Sequence, residues 1–193
     1  EVVDALLSQD RSGGRGPREP TFETVAGDDA IPAFVAATSA PDPLVRRRAL
    51  RLLAVQQHGK HRDTVAARFT EALADEDRDV RNAAADGLRH LVLEGLDPMH
   101  AASAVLATLD DAGPDRRADA AWALSAVGCA AVAVPALTRA LDDRDADVRL
   151  VAAHSLAERR EEARPALPRL LALLDDADDR VRRNVPIEIV RIG

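Results

Sequence analysis

Asp145-Ala-Asp-Val148-Arg149 is one of four closely similar phrases in this chain. The others are Asp42-Pro-Leu-Val45-Arg46, Asp77-Arg-Asp-Val80-Arg81 and Asp178-Asp-Arg-Val181-Arg182, and a weaker copy, Pro114-Asp115-Arg116-Arg117, lies between the second and third. With the Val position as marker (Arg116 in the weak copy), the copies are 35, 36, 32 and 33 residues apart. A period of this length means one supersecondary unit copied and stacked, each unit burying its apolar face against the next.

Each unit reads as a helix A, a short acidic turn and a helix B. The spacing predicts A helices over 31–39, 64–74, 98–109, 132–141 and 165–174. It predicts B helices over 43–57, 78–93, 114–127, 146–159 and 179–192. Pro98 and Pro165 stand where an A helix should start, a position that tolerates proline because its missing N–H would have no intrahelical partner. The aspartates before each B helix are placed to cap it and to complement its dipole. Counting along helix B from the marker, the fourth position holds Ala49, Ala84, Ala120, Ala152 and Val185. The eighth holds Leu53, Leu88, Leu124, Leu156 and Ile189. These four-residue steps put one apolar stripe on helix B.

The first position after the marker is always arginine: Arg46, Arg81, Arg117, Arg149 and Arg182. A cation in the first turn opposes the helix dipole. Pairing with a turn aspartate, in the same unit or the next, is the simplest compensation, and such a ladder would fix stacking register. Two places break the pattern. Arg116 follows Gly113-Pro114 in the third copy, and Pro186 falls inside the last B helix, where a kink or break is expected.

Composition agrees with thin helical layers. Hydrophobic residues make up 47% of the 193, yet aromatics are only 2%, so the core is built from Ala, Leu and Val. The pattern Pro-Ala-Leu in helix A, Asp-x-Asp-x-x-Val-Arg at the turn and Ala-x-x-x-Leu in helix B resembles HEAT repeats. Val134-Pro-Ala-Leu-Thr-Arg-Ala-Leu-Asp-Asp-Arg-Asp-Ala-Asp-Val-Arg149 is the best copy. The short period is similar to the subtype also found in phycobilin lyases, and the resemblance covers about residues 28–193. It implies an all-α fold: a right-handed α-solenoid of about five stacked antiparallel helix pairs. Residues 1–27 fall outside it and read as a helical remnant (2–8) and a flexible basic loop (11–18). The start on Glu1 and the stop at a repeat boundary lead us to expect a chain cut from a longer one.

In such a stack the B helices line the concave face, and their side opposite the apolar stripe falls at positions 2, 6, 9 and 13. Position 6 reads Arg51, Asp86, Trp122, His154 and Ile187; position 2 includes Arg47, and position 9 includes Arg89. These columns vary while the core columns do not. The expected partner-binding residues are therefore Arg47, Arg51, Asp86, Arg89, Trp122 and His154. Trp122, the only tryptophan, reads either as an exposed anchor or as a side chain folded into a gap among alanines.

The expected function is a non-catalytic scaffold that holds a protein or peptide, with self-association through exposed terminal repeats as a further possibility. The alternative is a nucleic-acid-binding enzyme of the HEAT-like DNA glycosylase type, using the basic first repeat with Asp86 and Trp122. A net charge of −7 opposes it, since general nucleic-acid binding favours a basic domain. The five histidines form no HExxH motif, and Asp143-Arg-Asp-Ala-Asp147 lacks the glycine and bidentate glutamate of a calcium loop. No catalytic residue, metal ligand or cofactor is expected. Without an 18-residue apolar run or a signal-peptide pattern, and with Cys129 as the single cysteine, no membrane contact is expected and the cytoplasm is the expected location.

Overall fold

A computed structural model of the chain describes residues 30–56, 59–110, 113–127 and 130–193. The expectations for residues 1–27, His58 and Cys129 lie outside the described residues. Among the described residues every regular element is helical, and ten α-helices form five A–B pairs. They are α1 (Ile31–Ala37) and α2 (Pro43–Ala54), α3 (Arg62–Ala72) and α4 (Arg78–Leu93), α5 (Pro98–Leu109) and α6 (Pro114–Ala126), α7 (Ala130–Ala140) and α8 (Ala146–Glu158), and α9 (Leu167–Ala172) and α10 (Asp179–Ile192). The fold is all-α and built of solenoid-type repeats, as expected. The chain divides into two compact units, Glu1–Leu91 and Val92–Gly193.

In the first unit α1 packs against α2. Ile31, Phe34, Val45, Leu50, Leu53, Val65, Phe69, Val80, Leu88 and Leu91 are buried with the alanines between them. Gly87 lets helix B approach Phe69: a Cβ there would lie 2.3 Å from the ring. In the second unit α6 packs against α5 and α8, α8 against α7 and α10, and α9 against α10. The repeated Ala and Leu positions of the B helices are buried as the stripe predicts; only Ile189, in the last helix, is half-buried rather than buried. Small side chains at one step and leucine at the next let neighbouring helices approach closely without large voids.

The turn phrase does two jobs with two different aspartates. Three residues before the marker, Asp42, Asp77, Asp145 and Asp178 accept from backbone N–H groups in the first turn of their B helix. These caps satisfy N–H groups that have no intrahelical acceptor. The third B helix starts instead on Gly113, with no side-chain cap, and Pro114 follows. Five residues before the marker, Asp75, Asp143 and Asp176 accept from the arginine of the preceding repeat. Arg46 gives Nε and Nη2 to the two oxygens of Asp75, both at 2.8 Å. Arg117 does the same to Asp143, at 2.8 Å for each bond. Arg149 does so to Asp176, at 2.8 and 2.6 Å. Each of these aspartates also accepts a backbone N–H two residues on, at 2.8–2.9 Å. The Nη1 of Arg46 donates to the carbonyls of Ala40 and Pro41, and that of Arg149 to Asp143, so the guanidinium ties one turn to the next. This is the ladder between repeats that explains a cation in the first turn.

Some expectations are corrected. Pro186 does not break its helix, which runs continuously from Asp179 to Ile192. The residue is exposed, so the ring meets solvent, and Val181, Val185 and Ile192 keep the helix seated. Pro165 does not start the last A helix. It lies in a 3-10 stretch, Arg160–Ala166, and Pro168 occupies the first turn of α9. That stretch begins at Arg160, whose φ of 50° is left-handed. Gly59 and Gly95 take positive φ in the corresponding connections; a side chain pays about 1–2 kcal/mol for what glycine does without steric cost.

Candidate interaction face

Position 6 is exposed in all five B helices, at Arg51, Asp86, Trp122, His154 and Ile187. The reason is helical phase: it falls half a turn from the stripe that Ala and Leu bury. Trp122 is 37% exposed, so it is neither folded away nor fully in water. Of the other columns, position 2 is mostly half-buried, with Arg47 among the half-buried. Position 9 departs from expectation, since Ala54 and Ala157 are buried. Arg89, at the same position, is half-buried. The open face is therefore narrower than predicted and centres on position 6.

In the first unit the face is charged and largely self-neutralised. Arg47 pairs with Asp79 of the next repeat, and Asp86 lies 3.8 Å from Arg89 one turn along α4. Arg51 sits exposed on α2, one turn beyond Arg47. Pairing of Arg47 lowers the charge available to phosphates and weakens the nucleic-acid reading.

In the second unit Trp122, His154 and Ile187 occupy the same phase on α6, α8 and α10, and these helices pack side by side in that order. Packed helices lie about 8–10 Å apart, so the row is about 16–20 Å long. His154 is set among charges. Its Nδ1 lies 3.1 Å from Glu188 Oε1 and 3.4 Å from Arg191 Nη1, and its Nε2 lies 3.8 Å from Glu158. Arg191 also pairs with Glu158 and, at 3.0 Å, with Glu188. The result is an aromatic, a hydrogen-bonding cluster of both charge signs and an aliphatic group in sequence. Glu158, Glu188 and Arg191 were not singled out from sequence. They reach His154 from a neighbouring repeat or from the next turn of α8, and the period of 33 could have revealed the two on α10.

Among the described residues, no three His, Cys, Asp or Glu side chains come together in a way that could hold a metal. No described helix is long and apolar enough to cross a membrane.

The comparisons agree with this architecture. The family model for HEAT repeats matches residues 31–125 and 101–189, so the chain belongs to the HEAT-repeat family. No curated protein matches it. Among solved structures, YibA of E. coli is similar at TM-score 0.67 and 19% identity, over 96% of this chain and 69% of that one. The complex of CpcE and CpcF of phycocyanin lyase from Nostoc sp. is similar at 0.60 and 18%, over 84% of this chain and 99% of that one. A designed armadillo repeat protein in complex with the peptide (KR)4 is similar at 0.55 and 17%, over 100% and 98%. At these identities the likeness is one of fold.

Proposed function

We propose that the chain is a non-catalytic scaffold that binds a protein or an extended peptide on the open face of its B helices. The observation that carries this reading is position 6. It is exposed in every repeat and different in every repeat, while the fourth and eighth positions are alike and, half-buried Ile189 apart, buried. Exposure without repetition is what a binding surface needs, because stacking constrains the framework and leaves this phase to diverge. Trp122 is the anchor, since a partly exposed tryptophan brings large apolar area at little entropic cost. His154 with Glu158, Glu188 and Arg191 supplies polar contacts, and Ile187 the second apolar one. An extended strand rises about 3.3 Å per residue, so a row of about 16–20 Å spans five or six residues. The designed armadillo protein similar in fold holds a peptide, which supports this mode by analogy.

The test is capture of polypeptides from the native host by the immobilised chain, with Trp122→Ala and Asp86→Arg in parallel. Trp122→Ala is expected to lower capture at least tenfold, corresponding to about 1.4 kcal/mol. Unchanged capture by both variants contradicts the face as described.

A further inference from the structure

The cluster around His154 holds a carboxylate that is only partly used. Glu158 meets Arg191 and the ring Nε2, the latter at 3.8 Å, and both contacts fall on Oε1. Among the described residues nothing meets its Oε2, and the side chain is 49% exposed. Glu188 on α10 is better covered, at 13% exposure. Its Oε2 accepts from Arg191 at 3.0 Å, and its Oε1 lies 3.1 Å from the ring Nδ1. Two carboxylates therefore share one arginine, so with a neutral ring the cluster has one negative charge in excess. The unit around it leans the same way: residues 92–193 hold 18 acidic and 13 basic side chains.

The ring between these carboxylates sets the balance. A neutral imidazole carries one N–H and serves only one of them; a protonated ring carries two and serves both. Protonation also brings the cluster to zero net charge. Histidine ordinarily makes this change between about pH 5 and 8. The other charges on elements packed against α8 do not intervene. α6 has none after Asp119, which is buried. α7 has only Arg139, and the 3-10 stretch has Arg160, Glu161, Glu162 and Arg164. Arg159 donates to the carbonyls of Leu124 and Ser125. The remaining charges of α10 lie at 179–183, in its first turns. Among the described residues only Glu158, Glu188 and Arg191 come within ion-pair or hydrogen-bond distance of the ring.

We propose that the open oxygen of Glu158 receives a lysine or arginine side chain of the segment bound along position 6, and that protonation of His154 releases it. This rests on the binding face proposed above and names the chemistry of its partner at one point. Charge complementarity selects a cation, because a neutral or anionic side chain leaves the surplus carboxylate unmatched. Glu158 follows His154 by one turn of α8, about 5.4 Å along the helix. The cation therefore enters beside the row, and Trp122 remains the apolar anchor. Acid release follows from the same geometry. The imidazolium gives N–H groups to both carboxylates, fills the charge deficit that drew the cation, and repels it.

The probe is an equimolar set of blocked peptides of about six residues, randomised at every position and passed over the immobilised full chain. Retained peptides are sequenced. At about pH 7.5 they should be enriched about threefold or more in Lys or Arg at one position, and Glu158→Gln should abolish the enrichment. At about pH 5.5 the preference should vanish from the original chain and persist in His154→Gln, whose amide takes up no proton. Trp122→Ala, run in parallel, reports on the face itself. Trp122-dependent retention without a cationic preference overturns the proposal and leaves the face standing. So does a preference that Glu158→Gln leaves intact, or an acid response that His154→Gln retains. Retention unchanged by Trp122→Ala, or no retention at all, removes the face and this site together. A concentration-dependent dimer that Glu158→Gln dissolves also overturns the proposal, since a second copy then fills the site.

Discussion

At the scale of single residues, the repeated aspartates and arginines are framework. The Arg117 guanidinium, through its hydrogen bonds, is the main influence holding the Asp143 carboxyl below the ordinary 3.8; burial opposes it, and the Asp145 N–H adds to it. For Asp75 and Asp176 burial is the largest single influence and pushes upward. The arginine hydrogen bond and charge, with the turn N–H, still outweigh it. A carboxyl whose folded value lies below its unfolded one stabilises the fold above the unfolded value and loses that stabilisation as pH falls through the folded one. Urea unfolding should therefore show stability flat from neutral pH to about pH 4 and dropping below it. Asp143→Asn should cost about 3 kcal/mol at pH 7, because it strands a largely buried arginine. It should also reduce the acid-dependent loss. Arg180→Ala, which removes exposed pairs to Asp147 and Asp178, should leave stability nearly unchanged, because solvent screens exposed pairs. Equal losses from the two variants would remove the ladder from the account.

At the scale of elements, helix B was legible and the A helices and connections less so. The Asp-x-x-Val-Arg phrase marks a capped start, and the Ala and Leu steps carry the stripe, so α4 and α10 match the predicted 78–93 and 179–192. The ends at 57, 127 and 159 were read one to three residues too long, since last-turn geometry depends on contacts that sequence does not show. The last A helix was misread for a similar reason. Pro165 and Pro168 both suit a first turn, and only the 3-10 stretch from Arg160 decides between them. Gly87 shows the other side of this limit. In the interior of a helix it looks replaceable, and glycine to alanine there ordinarily gains up to about 1 kcal/mol. With Phe69 2.3 Å from a Cβ, Gly87→Ala should instead destabilise by about 1–3 kcal/mol. Adding Phe69→Leu should recover part of the loss in the same thermal melts; a more stable single variant would contradict the packing described.

At the scale of the whole molecule, two kinds of position divide the chain. Those that repeat build the stack, through the ladder, the caps and the Ala–Leu stripe. The phase that stays exposed without repeating, position 6, is the one proposed to bind a partner. That division was legible in the sequence for Trp122 and His154, because periodicity alone fixes helical phase. It was not legible for position 9, where Ala54 and Ala157 are covered in ways that one-helix reasoning ignores. The most direct measurement combines urea unfolding and polypeptide capture on one variant, with Arg51, Asp86, Trp122, His154 and Ile187 all changed to alanine. The account predicts a folded chain, weakened by no more than about 2 kcal/mol as expected for mostly exposed sites, whose capture falls to background. A folded variant that captures as much as the original chain would contradict it.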